Sequence, residues 1–362
     1  MNHNGRLPWV THNQLAILVL LFSKFPNLQY LHHIENRALA GIDGGILPLF
    51  LVRRVYGVHP LPLNQLTHLR LSGVHCTKVL DIAPHQWLRM IFGLHELDTL
   101  DLECVELGQF SFASVRWPQG ASSITTFRLT VTDGSDFGIF GSELFGVFKA
   151  LRRLYFSPNF ISRRRVQVPG QLNLAQTLVA QQHNLEYLEV EWPTQIYVQC
   201  IQLGSFRAFS RLKTVNIPAL TDVLLTGHTN AVNLYESQQG HLMTVALHTG
   251  LLPSTLEKLV INTFTCRYDA LISLAEAALE LYPNLHTVIV TATGHIPYRQ
   301  PGWVSWIPFA KDVENAYDLA GMNFVCMVSS SIYFFRSTAK HDHNPDVRKH
   351  NTFSIVAFLV HQ

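Results

Sequence analysis

Four acidic side chains fall close together at Asp98, Asp101, Glu103 and Glu106, and neighbouring carboxylates can divide general acid from general base work. Only Asp101 and Glu103 share one face of a strand, where side chains repeat every second residue. Acid–base work also needs environments that separate the two pKa values, and the sequence shows no such difference. A second cluster, His341-Asp342-His343 with Asp346 and His350, has metal-ligating residue types. Its spacing fits no zinc or iron pattern, and the polar stretch reads as an exposed loop. Arg163-Arg164-Arg165 could touch phosphate or an acidic protein, yet in a chain of net charge +2 a solvated loop is the plainer reading. Gly41-Ile42-Asp43-Gly44-Gly45 lacks the Lys-Ser/Thr of a phosphate loop, and the chain has no Gly-x-Ser-x-Gly elbow and no His-Glu-x-x-His helix. The expectation is a non-enzymatic protein with no cofactor and no metal.

Composition narrows the setting. A hydrophobic share of 48% against a charged share of 14% favours a large folded core over disorder. Near-neutral charge gives no field to draw nucleic acid or an anionic membrane, and neither is expected as a partner. Cys76, Cys104, Cys200, Cys266 and Cys326 lie far apart with no Cys-x-x-Cys pair, as reduced thiols do, and no Asn-x-Ser/Thr acceptor occurs. The first eight residues lack the features of a signal peptide, and the apolar runs 15–22 and 355–360 are too short to span a bilayer. A cytoplasmic or nuclear location follows as an expectation.

The elements that would position these residues are set by one recurring phrase. In Leu97-Asp98-Thr99-Leu100-Asp101-Leu102-Glu103, apolar residues stand at positions one, four and six. The same grammar returns at Leu66-Leu69-Leu71, Ile124-Phe127-Leu129, Leu151-Leu154-Phe156, Leu185-Leu188-Val190, Leu212-Val215-Ile217, Leu256-Leu259-Ile261 and Leu285-Val288-Val290, with a divergent first copy at Phe25-Pro26-Asn27-Leu28 to Leu31. Each copy reads as a short strand with its first, fourth and sixth residues in a shared core and its third, fifth and seventh outward. No single copy can bury its own apolar side, so the copies must stack. Successive copies begin 27 to 44 residues apart, which leaves room for a returning helix. Apolar residues at helical spacing predict helices within 84–92, 137–148, 172–182, 241–251 and 268–281, a buried helix at 14–22, and another over 309–322.

This is the pattern of a leucine-rich repeat, so the expected fold is an α/β solenoid, a horseshoe with a concave parallel sheet of about nine strands and outer helices. Residues 1–60 form a divergent N-terminal repeat and cap, 61–295 the array, and 296–362 a C-terminal cap that includes a hairpin. Position nine, usually Asn or Cys, is Asn159 in one copy but Val74, Val105, Thr132, Pro193, Leu220, Phe264 and Thr293 elsewhere, so the turns must satisfy their backbones in other ways. Charges of both signs stand beside aromatics at the outward positions, as on protein-recognition surfaces. Arg70, Asp101, Glu103, Arg128, Arg153, Tyr155, Tyr187 and Glu189 are the candidate protein-binding residues.

Across 25–290 the chain resembles the irregular repeat region of fungal F-box/leucine-rich repeat proteins. The carriers are the leads Phe25-Pro26-Asn27-Leu28 and Tyr282-Pro283-Asn284-Leu285, each followed by an x-x-apolar-x-apolar strand, and helical returns. The resemblance implies a substrate-recognition subunit that binds a cullin-ligase linker and delivers proteins to a cullin-based ubiquitin ligase. Leu7-Pro8 is present without the rest of the Leu-Pro-x-Glu start of an F-box. A free-standing repeat scaffold or regulatory protein is the alternative.

Overall fold

The computed structural model describes residues 25, 27–34, 62–72, 88–89, 91–105, 118–131, 142–158, 172–191, 201–202, 204–218, 251–263, 268–292, 306–328 and 335–336. The fold is α/β, and the chain divides into two compact units. The first comprises Met1–Leu172, Thr177–Gln181 and Glu191–Gln195; the second comprises Asn173–Gln176, Gln182–Val190 and Ile196–Gln362.

In the first unit five strands run parallel in chain order: β1 (Tyr30–Ile34), β2 (His68–Ser72), β3 (Thr99–Val105), β4 (Thr126–Val131) and β5 (Arg153–Pro158). Their register sets position four beside position four, Leu31 by Leu69, Leu69 by Leu100, Leu100 by Phe127 and Phe127 by Leu154. From β2 to β5 every residue at positions one, four and six is at most 3% exposed. Burying a Leu or Phe side chain contributes about 1.5–3 kcal/mol, so this inner row is the chief source of cohesion.

Backbone bonds lock the register where each strand begins. The carbonyl at position two accepts two N–H groups of the next copy. Gln29 O accepts from Thr67 and His68, each at 2.9 Å; Thr67 O accepts from Asp98 and Thr99, each at 2.9 Å. Asp98 O takes Thr125 and Thr126 at 2.9 and 3.1 Å, and Thr125 O takes Arg152 and Arg153 at 2.8 and 3.0 Å. A slip by one residue would turn the apolar row outward, so hydrophobic pattern and backbone pairing specify the same register. The helix expected within 137–148 is the short α1 (Ser142–Gly146), and helical backbone appears at 88–89 and 91–92.

The second unit repeats the plan with β6 (Tyr187–Val190), β7 (Thr214–Pro218), β8 (Lys258–Thr263), β9 (Thr287–Ala292) and β10 (Asn323–Val328), all parallel. Residues at positions one, four and six from β6 to β9 are at most 6% exposed. Helix α2 (Tyr268–Leu281) matches its expected span and buries Leu271, Leu274, Ala275 and Ala278, one stripe at helical spacing. The lead Tyr282-Pro283-Asn284-Leu285 is the predicted turn into the next strand, because Tyr282 O accepts the Leu285 N–H at 2.9 Å. Tyr282 is 1% exposed, whereas its counterpart Phe25 in the first unit is 55% exposed.

Three features depart from the sequence reading. Parallel pairing continues past Val290, since β10 lies in register beside β9, with Val288 by Phe324 and Val290 by Cys326. Helix α3 (Trp306–Leu319) begins and ends three residues earlier than the spacing predicts. Gly321 has φ +71°, its N–H reaches Asp318 O at 3.0 Å, and the Met322 N–H reaches Tyr317 O at 2.9 Å. That glycine-capped double bond ends the helix and releases the chain into β10. Lastly, the helix expected over 172–182 is split into the turn Leu174–Thr177 and the 3-10 turn Val179–Gln181. β10 then pairs antiparallel with β11 (Phe335–Arg336). The readings at 14–22, 41–45, 163–165, 341–350 and 355–360, and that at 241–251 except for Leu251, lie outside the described residues.

Candidate functional site

Alternation along the first unit's strands leaves positions three, five and seven on the face opposite the buried row. Parallel register then sets His32, Arg70, Asp101, Arg128 and Tyr155 side by side, one from each strand. Arg70 donates through Nη2 and Nε to Glu103 Oε2 at 2.6 and 3.1 Å. Ser72 Oγ donates to the same oxygen at 2.8 Å, and His32 Nε2 stands 3.4 Å from Ser72 Oγ. Arg70 Nε also lies 3.6 Å from Asp101 Oδ2. Arg128 is electrostatically coupled to Asp101, and its Cζ sits 4.4 Å from the centre of the Tyr155 ring. A continuous polar line therefore crosses all five strands.

The two carboxylates differ. Burial pushes Asp101 above the usual aspartate value, against the pull of Arg128 and Arg70; among the described residues its Oδ1 is buried with no hydrogen-bond partner. The hydrogen bonds from Arg70 and then Ser72 hold Glu103 below the usual glutamate value. The Glu103 hydrogen bond in turn raises Arg70. The structure thus supplies the difference in environment that sequence alone did not show. Both carboxylates converge on one guanidinium, so the arrangement fixes opposite charges in place across neighbouring strands.

No protein-family model matches this chain, and no curated protein matches it. The site therefore has to be read from its own residues.

Five of the eight candidate residues, Arg70, Asp101, Glu103, Arg128 and Tyr155, are brought together in the first unit. Arg153 is in the same unit and on the same face, exposed and opposite Thr126 on β4. Tyr187 and Glu189 belong to the second unit, where the Tyr187 hydroxyl donates to Glu189 Oε2. Around them the second unit presents Asn262 and Asn216, the Nδ2 of Asn262 donating to the Oδ1 of Asn216 at 2.8 Å, and Val260, Ile289 and Val325. Among the described residues no group of three His, Cys, Asp or Glu side chains is arranged to hold a metal ion, and no helix is long and apolar enough to cross a membrane.

Structural polar residues under the site escaped sequence reading. Gln181, 1% exposed, donates to Phe145 O and Phe148 O at 2.8 and 2.9 Å and accepts the Leu151 N–H at 3.0 Å. It stands where other copies close the turn directly, as Leu97 N–H does on Leu94 O at 3.3 Å. The residue before position one does related work. Ser123 Oγ donates to His95 O at 2.7 Å, with Leu97 O and Leu94 O at 3.0 and 3.4 Å, and Thr255 Oγ1 donates to Leu212 O at 3.0 Å, with Phe209 O at 3.4 Å. These contacts give donors to backbone carbonyls in the turns that lead into the strands. The available signal was a small hydroxyl just before the first apolar residue in both copies.

Proposed function

We propose that the chain is a leucine-rich repeat solenoid that acts without catalysis, recognising a protein partner on the outward sheet face. The observation that carries this reading is the polar line from His32 through Arg70, Glu103, Asp101 and Arg128 to Tyr155. Its charges are held before any partner arrives, so less side-chain freedom is lost on binding. Aromatic and Arg side chains are also the types that dominate protein interfaces. The resemblance to F-box repeat regions gives the reading its specific form, a substrate-recognition subunit of a cullin-based ubiquitin ligase.

The test is quantitative capture of the tagged chain from its native cell, with mass spectrometry, beside an Arg70→Ala/Tyr155→Ala variant of unchanged circular dichroism. Proteins retained by the wild type and lost from the variant are expected. A cullin-ligase linker among the retained proteins supports the adaptor form, and face-dependent partners without that linker favour a free-standing scaffold. Retention indifferent to the double substitution overturns recognition on this face.

A further inference from the structure

Resting on the reading of this face as a recognition surface, we infer that the first unit binds an acidic, extended segment of its protein partner through Arg128 and Arg153. Glu103 Oε2 already takes three hydrogen bonds, two from Arg70 and one from Ser72. Asp101 Oδ1 is shut off from solvent, and Asp101 Oδ2 faces Arg70. Glu103 Oε2 and Asp101 Oδ2 are thus engaged by Arg70, and Arg70 by them, while the Glu103 side chain stays partly exposed.

Two guanidiniums remain. Arg128 is exposed, and its Cζ lies 4.4 Å from the centre of the Tyr155 ring, a cation–π contact that takes up no hydrogen-bond acceptor. Arg153 is exposed on the adjacent strand. Among the described residues neither side chain makes a hydrogen bond or an ion pair, although Arg128 feels the Asp101 charge. Arg128 pairs with Tyr155 and Arg153 with Thr126, so the two arginines are diagonal neighbours on one face. Such neighbours stand about 7–8 Å apart. Carboxylates two residues apart on an extended chain are separated by about 6.6 Å, close to the same spacing. A guanidinium edge matches a carboxylate in shape and charge, which makes an acidic-x-acidic segment the complementary occupant. Glu191 opposes it: its N–H donates to Phe156 O at 2.9 Å, and its exposed side chain adds a negative charge to this unit.

The probe is a fluorescent peptide of about twelve residues alternating Glu and Thr, followed by anisotropy with the full chain. Peptides with Gln or Lys in place of Glu serve as controls. The Glu peptide is expected to bind, and to weaken as salt rises from about 0.05 to about 0.3 M, because added ions screen exposed charges. Arg128→Ala and Arg153→Ala should each weaken binding by up to about fivefold, as exposed ion pairs do. The double variant should lose the product of the two single effects, up to about twenty-fivefold, if the contributions add, while Glu191→Gln should tighten binding. Equal binding of the Gln or Lys peptide, or of the Glu peptide to the double arginine variant, overturns the inference. Failure of the Glu peptide alongside face-dependent protein capture removes this inference alone; loss of both removes the recognition reading as well.

Discussion

In the first unit, position five of the repeated strand carries Arg70, Asp101, Arg128 and Tyr155; in the second it carries Glu189, Asn216, Val260, Ile289 and Val325. The backbone plan beneath is the same, with position four aligned and buried in both. One unit presents a charge network and an aromatic clamp, the other amides giving way to β-branched side chains. Outward side chains take no part in the shared core, so they can change chemistry without disturbing the frame. Surface chemistry is therefore a property of a stretch of strands, whereas the buried row is a property of every copy.

The largest expected effect tests whether the frames are equivalent. Leu100→Ala in the first unit and Leu259→Ala in the second each remove a fully buried position-four side chain. Each should cost about 2–5 kcal/mol in urea unfolding. A large loss at one site and almost none at the other would break the comparison at its base.

A smaller difference separates the ways in which the units close their turns. Gln181→Leu strips partners from Phe145 O, Phe148 O and Leu151 N. At about 1–3 kcal/mol for each buried group left unsatisfied, the loss should exceed that of Thr255→Val. In the second unit the Leu212 N–H still closes on Phe209 O at 3.3 Å without Thr255, so about 1 kcal/mol is expected there. Equal losses by thermal or urea unfolding would show that the Gln181 bridge is dispensable.

The smallest effect is a pH dependence peculiar to the charged face. Burial raises Asp101, so the stability its protonated form confers is lost as pH rises from the usual aspartate value through the raised one. Glu103 is lowered by Arg70 and Ser72, so its contribution is present above the usual glutamate value and lost as pH falls through the lowered one. Relative to the wild type, Asp101→Asn should gain stability as pH climbs through its window, and Glu103→Gln should lose stability as pH climbs through its own. Urea midpoints taken across the acid range would check the signs; parallel curves for the two variants would refute the opposed environments.

Much of the frame was legible in residue types. Leu97, Leu100 and Leu102, and the corresponding trios up to Leu285, Val288 and Val290, are buried as their spacing predicts. The face was legible as a set, because alternation alone puts Arg70, Asp101 and Arg128 outward. Gln181 was not, since in a stretch of helical spacing a glutamine reads as a surface residue, and periodicity is blind to backbone carbonyls from residues more than thirty positions away. The stop at Gly321 was missed because the apolar pattern runs on through Met322, and only its left-handed backbone shows where the helix ends.

The sequence by itself determined which side chains enter the core and which strand follows which, because local alternation and the recurrence of one apolar phrase suffice to specify a buried row. Tertiary structure decided how the outward charges are shared. Asp101 and Glu103 are two residues apart on one strand and look alike in sequence. Their difference arises from Arg70 and Ser72 on one neighbouring strand, Arg128 on the other, and the depth at which each carboxylate lies. Charge interactions and desolvation depend on distance and burial in space, and those exist only once the strands are paired.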